Sequence, residues 1–207
     1  MAKQKKEFHH PFLIRLTHWI NAAALTIMVA SGLRIYNASP VFDFKIPEVL
    51  TLGGWLAGGR EWHFFAMWLF LFNGILWLGY NILTRHGRQT TLFRPSDAGG
   101  VVPMLLYYLR IRKVHPAVRK YNPLQKLAYT TVPLAAAGVI LTGIAIYWPV
   151  QFGGLTRFFG NYDTARVWHF LFMAAIILFV FGHLFMVLIS GWANFWSMIT
   201  GWKRVRE

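Results

Sequence analysis

The sequence predicts an all-α integral membrane protein, a bundle of four transmembrane helices. Two observations of composition and one of pattern lead to this fold class. Of the 207 residues, 56% are hydrophobic and only 14% are charged, whereas an average soluble domain carries about 25% charged residues. The apolar residues gather in four long stretches, and the basic residues gather at the two chain ends and in one of the three connections. Lipid, not water, is therefore the expected solvent for most of the chain.

Each apolar stretch meets the length of about 20 residues that a helix needs to cross about 30 Å of hydrocarbon. The four stretches cover residues 12–36, 62–83, 124–148 and 164–189. The apolar run of the first is too long for a signal peptide, and no small-residue cleavage site follows it, so it is expected to be a helix of the mature protein. Four helices with connections of about 15 to 40 residues have to pack together to cover their polar groups. We therefore expect one membrane domain over residues 1–207.

The basic residues predict the orientation of the helices. Of the 21 Lys and Arg residues, 16 lie in or beside the N-terminal segment, segment 84–123 and the C-terminal tail, and the other 5 lie in the two remaining connections. By the positive-inside rule, both termini and segment 84–123 are expected to be cytoplasmic. The net charge of +14 thus reflects membrane topology, and nucleic acid is not an expected partner.

Three connections have features of their own. Residues 96–114 predict an amphipathic helix at the cytoplasmic surface, and the alternative is a solvated basic loop. Its apolar residues are Val101, Leu105, Tyr108 and Leu109, and its basic residues are Arg110, Arg112 and Lys113. Segments 43–59 and 149–163 are expected on the outer side, where they would serve as docking loops.

The sequence contains no cysteine, which excludes several kinds of redox centre. Iron–sulfur clusters and covalently attached c-type haem both need cysteine. Any redox centre must therefore use other ligands.

Four of the eight histidines, His18, His63, His169 and His183, fall inside the predicted spans, and an ionisable residue there indicates a functional site. The predicted topology places His18 and His183 near the cytoplasmic face, and His63 and His169 near the outer face. The 14 residues from His169 to His183 turn the helix by about 1400°, close to a whole number of turns, and rise about 21 Å. Both imidazoles then face one side, which predicts two stacked b-type haems, each bound by two histidines.

Three of these histidines have an arginine three residues earlier. The pairs are Arg15 with His18, Arg60 with His63, and Arg166 with His169. At that spacing the two side chains share a helix face, and a guanidinium can bind a haem propionate through two hydrogen bonds. His183 has no such arginine, so the propionates of the inner haem are expected at Arg15 or Lys126.

Other interpretations of the histidines have to be weighed. A single histidine in a helix is usually a polar residue bonded to a neighbour, but four at matched depths favour haem. A metal transporter would need carboxylates beside the histidines, and the spans offer only Glu61 near a helix end. A haem-free membrane scaffold is the remaining alternative. The histidines outside the spans, His9, His10, His86 and His115, are expected to be surface residues.

Several of these motifs together resemble a known family, the bacterial cytochrome b subunits of formate dehydrogenase, nickel–iron hydrogenase and thiosulfate-reductase-like complexes. The resemblance covers the whole four-helix core. It rests on Arg15-Leu-Thr-His18-Trp19, the histidine that opens the second helix, Trp168-His169 with His183 fourteen residues later, and the run from Lys120 to Lys126.

The resemblance implies an electron-transfer and quinone-reactive subunit of a membrane-bound oxidoreductase in the bacterial inner membrane. Its implied partner is a periplasm-facing catalytic subunit with molybdenum or nickel–iron and iron–sulfur clusters. Electrons would pass through the outer and then the inner haem b to menaquinone or ubiquinone. The implied quinone site lies near His18, His183 and the Asn122–Gln125 turn, with Asn122, Gln125 and Lys126 as candidates. The alternative is that Asn122 and Gln125 are only the polar start of the third helix.

Two questions stay open at this point. Electrons could also flow from quinol to a reductase on the outer side, through the same residues. A different class of protein, a stand-alone cytochrome b561-type oxidoreductase, similarly has four helices and two haems but reacts with a small molecule such as superoxide. The long outer segments favour the subunit over the stand-alone enzyme.

Overall fold

The computed structural model describes residues 4–84, 92–116 and 121–206. His86 and Lys120, which were named above, lie outside the described residues. The elements in chain order are β1 (Gln4–Phe8), α1 (Phe12–Ala38), α2 (Leu56–Leu83), α3 (Ala98–Tyr108), α4 (Pro123–Tyr147), α5 (Gly153–Phe158), α6 (Tyr162–Ser190), α7 (Trp192–Thr200) and β2 (Trp202–Arg206).

Helices α1, α2, α4 and α6 are long and apolar enough to cross a membrane. They contain 27, 28, 25 and 29 residues, so each is longer than the roughly 30 Å of a bilayer core. The all-α membrane fold predicted from the sequence is confirmed, and each predicted span corresponds to one of these helices.

Helix α2 begins six residues before the predicted span, at Leu56 rather than Trp62. The preceding turn contains Gly53 at φ 111°, a conformation that glycine adopts most easily. A Cβ at Gly59 would lie 2.8 Å from Cγ of Arg34, so this first turn approaches α1 too closely for a larger residue. Gly58 and Gly59 look like part of a loop in the sequence, but they lie in α2. The missing side chain of Gly59 allows the close packing against Arg34.

The chain divides into two compact units, residues 1–80 with 181–207, and residues 81–180. The first unit contains the β strands, α1, most of α2, the last part of α6 and α7. The second contains α3, α4, α5 and most of α6. That residues 1–207 form one membrane domain stays a prediction, and each unit is described by itself below.

In the first unit, α1 and α2 are joined by a buried amide. Asn73 is only 5% exposed. Its Nδ2 donates to the carbonyl of Thr17 at 2.8 Å and to Oδ1 of Asn21 at 2.7 Å. Because hydrocarbon cannot satisfy polar groups, such interhelical hydrogen bonds hold membrane helices together.

The two ends of the chain meet in the same unit. Strands β1 and β2 are antiparallel, with Gln4 opposite Arg206 and Phe8 opposite Trp202. The amphipathic helix α7 lies against the start of α1, where Trp19 Nε1 donates to the carbonyl of Met198 at 3.0 Å and Arg15 donates to the carbonyl of Ile199. The N-terminal and C-terminal segments therefore lie on the same side of the first unit, as four spans require.

The segment between α1 and α2 is anchored to the end of α1. Asn37 makes two hydrogen bonds to the backbone of Ile46, both 2.8 Å long. The hydroxyl of Tyr36 donates to the carbonyl of Phe44 at 3.0 Å, and Arg34 pairs with Glu48 at 3.1 Å. This predicted docking loop is therefore an ordered structure with exposed apolar residues, such as Val49 at 88% exposure.

In the second unit, α3 covers Ala98–Tyr108 of the predicted 96–114 segment and ends before its basic residues. Arg110, at φ 60°, follows the end of the helix. Helices α4 and α6 pack closely, because a Cβ at Gly138 would lie 2.7 Å from the ring of Phe172. Thr156 of α5 donates to the carbonyl of Ala145 at 3.1 Å and so ties the short helix to the end of α4.

An ion pair joins the start of α3 to α4. Lys126 Nζ lies 2.7 Å from Oδ1 of Asp97. The hydrogen bond from Lys126, assisted by the backbone N–H of Arg94, lowers the pKa of the Asp97 carboxyl below its ordinary value of 3.8. A carboxyl with a lowered pKa stabilises the fold while it is ionised, and this contribution is lost as the pH falls through the lowered pKa.

We therefore expect Asp97→Asn to lower the unfolding temperature in detergent near neutral pH. The difference between the variant and the wild type should shrink as the pH falls well below 3.8. Asp163→Asn is the control, since the Asp163 carboxylate is 80% exposed and lies 3.5 Å from Arg166, and exposed pairs contribute little. A difference at Asp97 that does not change with pH would contradict the assignment.

Candidate haem-binding site

The predicted inner pair of histidines comes together in the first unit. His18 of α1 and His183 of α6 have ring centroids 6.0 Å apart. A metal–imidazole bond is about 2 Å long and the ring centroid lies about 1 Å beyond the nitrogen, so one iron between two imidazoles separates their centroids by about 6 Å. The distance between these two rings therefore fits two axial ligands of a single haem iron.

His63 is held in the first unit by α1. Its Nδ1 lies 3.1 Å from the carbonyl oxygen of Met28 and 3.3 Å from Oγ of Ser31. A histidine that binds metal commonly donates its other ring N–H to a carbonyl or a side chain, and this fixes the tautomer. With Nδ1 engaged in this way, Nε2 is the nitrogen that would bind iron.

His169 is held in the second unit by α4 in the same manner. Its Nδ1 lies 2.9 Å from Oγ1 of Thr142, so Nε2 is again the nitrogen that would bind iron. His63 and His169 each lie seven residues after the first residue of their helix, Leu56 and Tyr162. Because they belong to different units, their pairing on one haem stays a prediction.

The three arginines predicted to bind propionates lie on the same helices as their histidines. The guanidinium of Arg15 lies 5.6 Å from the ring centroid of Phe12, and that of Arg60 lies 5.9 Å from the centroid of Phe64. Arg166 lies 3.5 Å from Asp163. The Nε atom of Arg15 is buried and has no hydrogen-bond partner among the described residues, which suits a cation that receives an anionic group. Propionate binding by all three stays a prediction.

Arg34 is one of the five basic residues counted above in the two remaining connections. Its side chain is 14% exposed, and its Nε is also buried without a partner in the described part of the chain. It lies three residues after Ser31, which contacts His63, so it is a further candidate for a propionate. Sequence spacing could not reveal it, because it is on a different helix from the histidine.

The residues predicted for quinone form the start of α4. Oδ1 of Asn122 accepts from the backbone N–H of Gln125 at 2.8 Å, and Oε1 of Gln125 accepts from the N–H of Asn122 at 3.0 Å. This reciprocal arrangement is a capping box, which satisfies free N–H groups at a helix start. The amide of Asn122 also donates to the hydroxyl of Tyr108 at 3.0 Å. These contacts support a structural role, and the quinone role stays a prediction.

The described histidines outside the spans lie in polar segments. Burial, together with the nearby charges of His9, Arg15 and Lys203, lowers the pKa of His10 below its ordinary value of 6.5. The ring of His115 lies 4.7 Å from that of Tyr107. Among the described residues, no three His, Cys, Asp or Glu side chains gather into a metal-binding cluster.

Comparison with known proteins identifies the family to which this arrangement belongs. Residues 9–201 match the family model of the prokaryotic cytochromes b561. The chain belongs to this family. The family resemblance noted in the sequence is thereby confirmed, and the protein is a membrane cytochrome b electron-transfer subunit for which haem b is the implied cofactor. None of the solved structures matches the chain significantly.

Three relatives show which known proteins the chain is similar to. The chain is 41% identical to the putative protein-methionine-sulfoxide reductase subunit YedZ1 of Azospira oryzae, over 90% of this chain and 93% of the relative. It is 25% identical to a probable Ni/Fe-hydrogenase B-type cytochrome subunit of Bradyrhizobium diazoefficiens, over 94% and 84%. It is 26% identical to the probable Ni/Fe-hydrogenase 1 B-type cytochrome subunit of Escherichia coli, over 84% and 79%. Each of these relatives is a subunit, so a catalytic partner is indicated.

Proposed function

We propose that this cytochrome b561 binds two b-type haems and carries electrons across the bacterial inner membrane between a periplasmic redox enzyme and the quinone pool. The observation that carries the proposal is the 6.0 Å separation of the His18 and His183 rings. In the proposal, these two residues ligate the inner haem and His63 with His169 ligate the outer one. Each haem, when bound, accepts and donates one electron at its iron.

The positions of these residues along the chain would place the two haems on opposite sides of the membrane. His169 and His183 lie on one helix, 14 residues apart, so these two histidines are separated by about 21 Å along its axis and would bind different haems. Both chain ends pair in a ribbon whose segments carry basic residues, which supports a cytoplasmic position for the termini. The anchored segment after α1 would then face the periplasmic partner.

The names of the relatives are the basis on which we propose a partner. One relative is named as a subunit of a methionine-sulfoxide reductase and others as subunits of Ni/Fe-hydrogenases. We infer a partner with a molybdenum or nickel–iron centre. The higher identity to the reductase subunit favours electron flow from quinol outward to the partner.

A pyridine haemochrome assay on the detergent-purified chain tests the haem assignment, and two b-type haems per chain are expected. Addition of quinol under anaerobic conditions should then reduce both haems without the partner. One haem or none would contradict the proposal. Rapid reaction with superoxide, and none with quinol or quinone, would instead indicate a stand-alone oxidoreductase that acts on a small molecule.

Two substitutions at one residue separate the quinone role of Asn122 from its capping role. Asn122→Ala should cost about 1 kcal/mol of stability, because the cap is lost, whereas Asn122→Ser should keep the cap. If Asn122 also binds quinone, both variants should slow haem reduction by quinol in stopped-flow measurements. A serine variant with unchanged stability and an unchanged rate would restrict Asn122 to capping α4.

A further inference from the structure

We propose that Ser31 and Thr142 are positioning residues, which hold His63 and His169 with Nδ1 protonated and Nε2 as the iron ligand. Each is followed in its helix by a glycine, Gly32 or Gly143, that lies beside the imidazole. We call each pair, Ser31-Gly32 and Thr142-Gly143, a hydroxyl–glycine step. The inference rests on the proposed function, because it takes His63 and His169 as haem ligands.

The position of the hydroxyl hydrogen decides which atom donates to the histidine. Oγ of Ser31 donates to the carbonyl of Ile27 at 2.6 Å, and Oγ1 of Thr142 donates to the carbonyl of Gly138, also at 2.6 Å. A hydroxyl has one hydrogen to donate and lone pairs with which to accept. Each oxygen therefore accepts from the imidazole.

The histidine nitrogen that faces each hydroxyl must then carry a proton. In a neutral imidazole one ring nitrogen is a donor and the other has a lone pair. Since Nδ1 of His63 and Nδ1 of His169 are the nitrogens that contact the hydroxyls, both rings have the tautomer in which Nε2 can bind a metal. The Thr142 hydroxyl thus selects the ligating nitrogen of His169, and the Ser31 hydroxyl does so for His63 together with the carbonyl of Met28.

The glycine of each step lies under the edge of the same ring. A Cβ added to Gly32 would lie 3.3 Å from Cε1 of His63 and 3.5 Å from its Nδ1. A Cβ added to Gly143 would lie 3.5 Å and 3.9 Å from the same two atoms of His169. A Cβ at Gly32 would therefore crowd the ring of His63, whereas one at Gly143 would only reach van der Waals contact with the ring of His169.

The two steps occur independently, one in each compact unit, and their hydroxyl residues are both fully buried. Other hydroxyl residues on the same helices differ in this respect. Thr26 of α1 and Thr131 of α4 donate to the carbonyl four residues earlier at 2.8 Å and 2.9 Å but are exposed. They are matched controls, because they share the local hydrogen bond and lack the buried position beside a histidine.

A hydrogen bond from Nδ1–H makes the imidazole a stronger electron donor, and such outer contacts tune a metal site. A stronger donor stabilises ferric haem more than ferrous haem. Loss of the acceptor should therefore raise the midpoint potential of the haem. The effect should be larger at Thr142, whose hydrogen bond is 2.9 Å long, than at Ser31, where the bond is 3.3 Å and Met28 supplies a second acceptor.

The test compares Thr142→Val, which keeps the side-chain shape, with Thr142→Ser, which keeps the hydroxyl. Thr131→Val is the control on α4. Haem is counted by pyridine haemochrome, and the potentials of both haems are measured by anaerobic spectroelectrochemical titration with low-temperature electron paramagnetic resonance. We expect T142V to raise one potential by about 59 mV, which corresponds to a tenfold change for one electron. T142S and T131V should leave both potentials unchanged.

Ser31→Ala, with Thr26→Val as its control on α1, should raise the potential of the same haem by a smaller amount. If T142V loses one haem instead, retention of both haems by T142S and T131V would support the role of the hydroxyl. The inference is overturned if T142V and S31A hold two haems with unchanged potentials and spectra, or if T131V shifts the potential as T142V does.

Failure of the proposed function has a different signature. It would appear as full haem content in a His63→Ala variant, or as shifts in different haems for S31A and T142V. The first would remove His63 as a ligand, and the second would contradict the sharing of one haem by His63 and His169. Both results differ from the outcome that overturns the role of Ser31 and Thr142, in which T142V and S31A leave the haem potentials unchanged or T131V shifts them as well.

Discussion

Replacement of His63 by alanine is expected to remove one of the two haems and to leave the other in place. The remaining haem would be bound by His18 and His183, whose ring centroids lie 6.0 Å apart in the first unit. Alanine offers no ligand, and loss of an axial histidine removes a bond to iron. The purified variant should contain one haem per chain by pyridine haemochrome, and electron exchange with a periplasmic partner should be lost.

The same experiment in the other helices tests the pairing. His169→Ala should have the haem content and spectrum of the His63 variant, whereas His18→Ala and His183→Ala should lose the opposite haem. His115→Ala is the control, because this residue lies outside the membrane helices. The His115 variant should retain both haems. Loss of both haems from the His63 variant, or of neither, would count against the pairs.

Gly138→Val is expected to destabilise the protein and to lower its haem content. A Cβ at this position would lie 2.7 Å and 2.8 Å from ring atoms of Phe172, and valine adds two methyl groups beyond it. Overpacking of this kind typically costs about 1–3 kcal/mol. Thr142 lies one turn further along α4, and its hydroxyl donates to the carbonyl of Gly138. A shift there would therefore also disturb the contact with His169.

Thermal unfolding in detergent and the haem-to-protein ratio measure this effect. A second substitution, Phe172→Leu, should restore part of the stability, because residues in contact give non-additive changes. Gly74→Ala is the control, since a Cβ at Gly74 meets nothing within 4 Å. If the valine variant matches the wild type in unfolding temperature and haem content, α4 and α6 are not packed as closely as described.

Helix positions were predictable because lipid imposes a simple requirement on length and composition. The predicted spans and helices α1, α2, α4 and α6 agree within two residues at every boundary except the start of α2. There, Gly58 and Gly59 have low helix propensity and look like a loop in the sequence. Packing of Gly59 against Arg34 outweighs that propensity.

The polar start of α4 shows that one spacing of residues in a sequence can fit two different roles. Asn122 and Gln125 stand three residues apart, a spacing that fits a capping box as well as a polar binding site. In the structure they hydrogen-bond to each other, and Lys126 pairs with Asp97 from a distant segment. The partner of Lys126 could not be derived from the sequence, because 29 residues separate it from Asp97.

The sequence by itself determined the solvent, the number of membrane helices and the histidines available as ligands. These follow from hydrophobic length and from the 3.6-residue period, which are properties of single helices. Only the tertiary structure shows that the rings of His18 and His183 lie 6.0 Å apart, and that Ser31 and Thr142 contact the other two rings. The physical reason is that a hydrogen bond between helices depends on their register and separation. Both are determined by packing, here at glycines whose missing side chains no sequence period reveals.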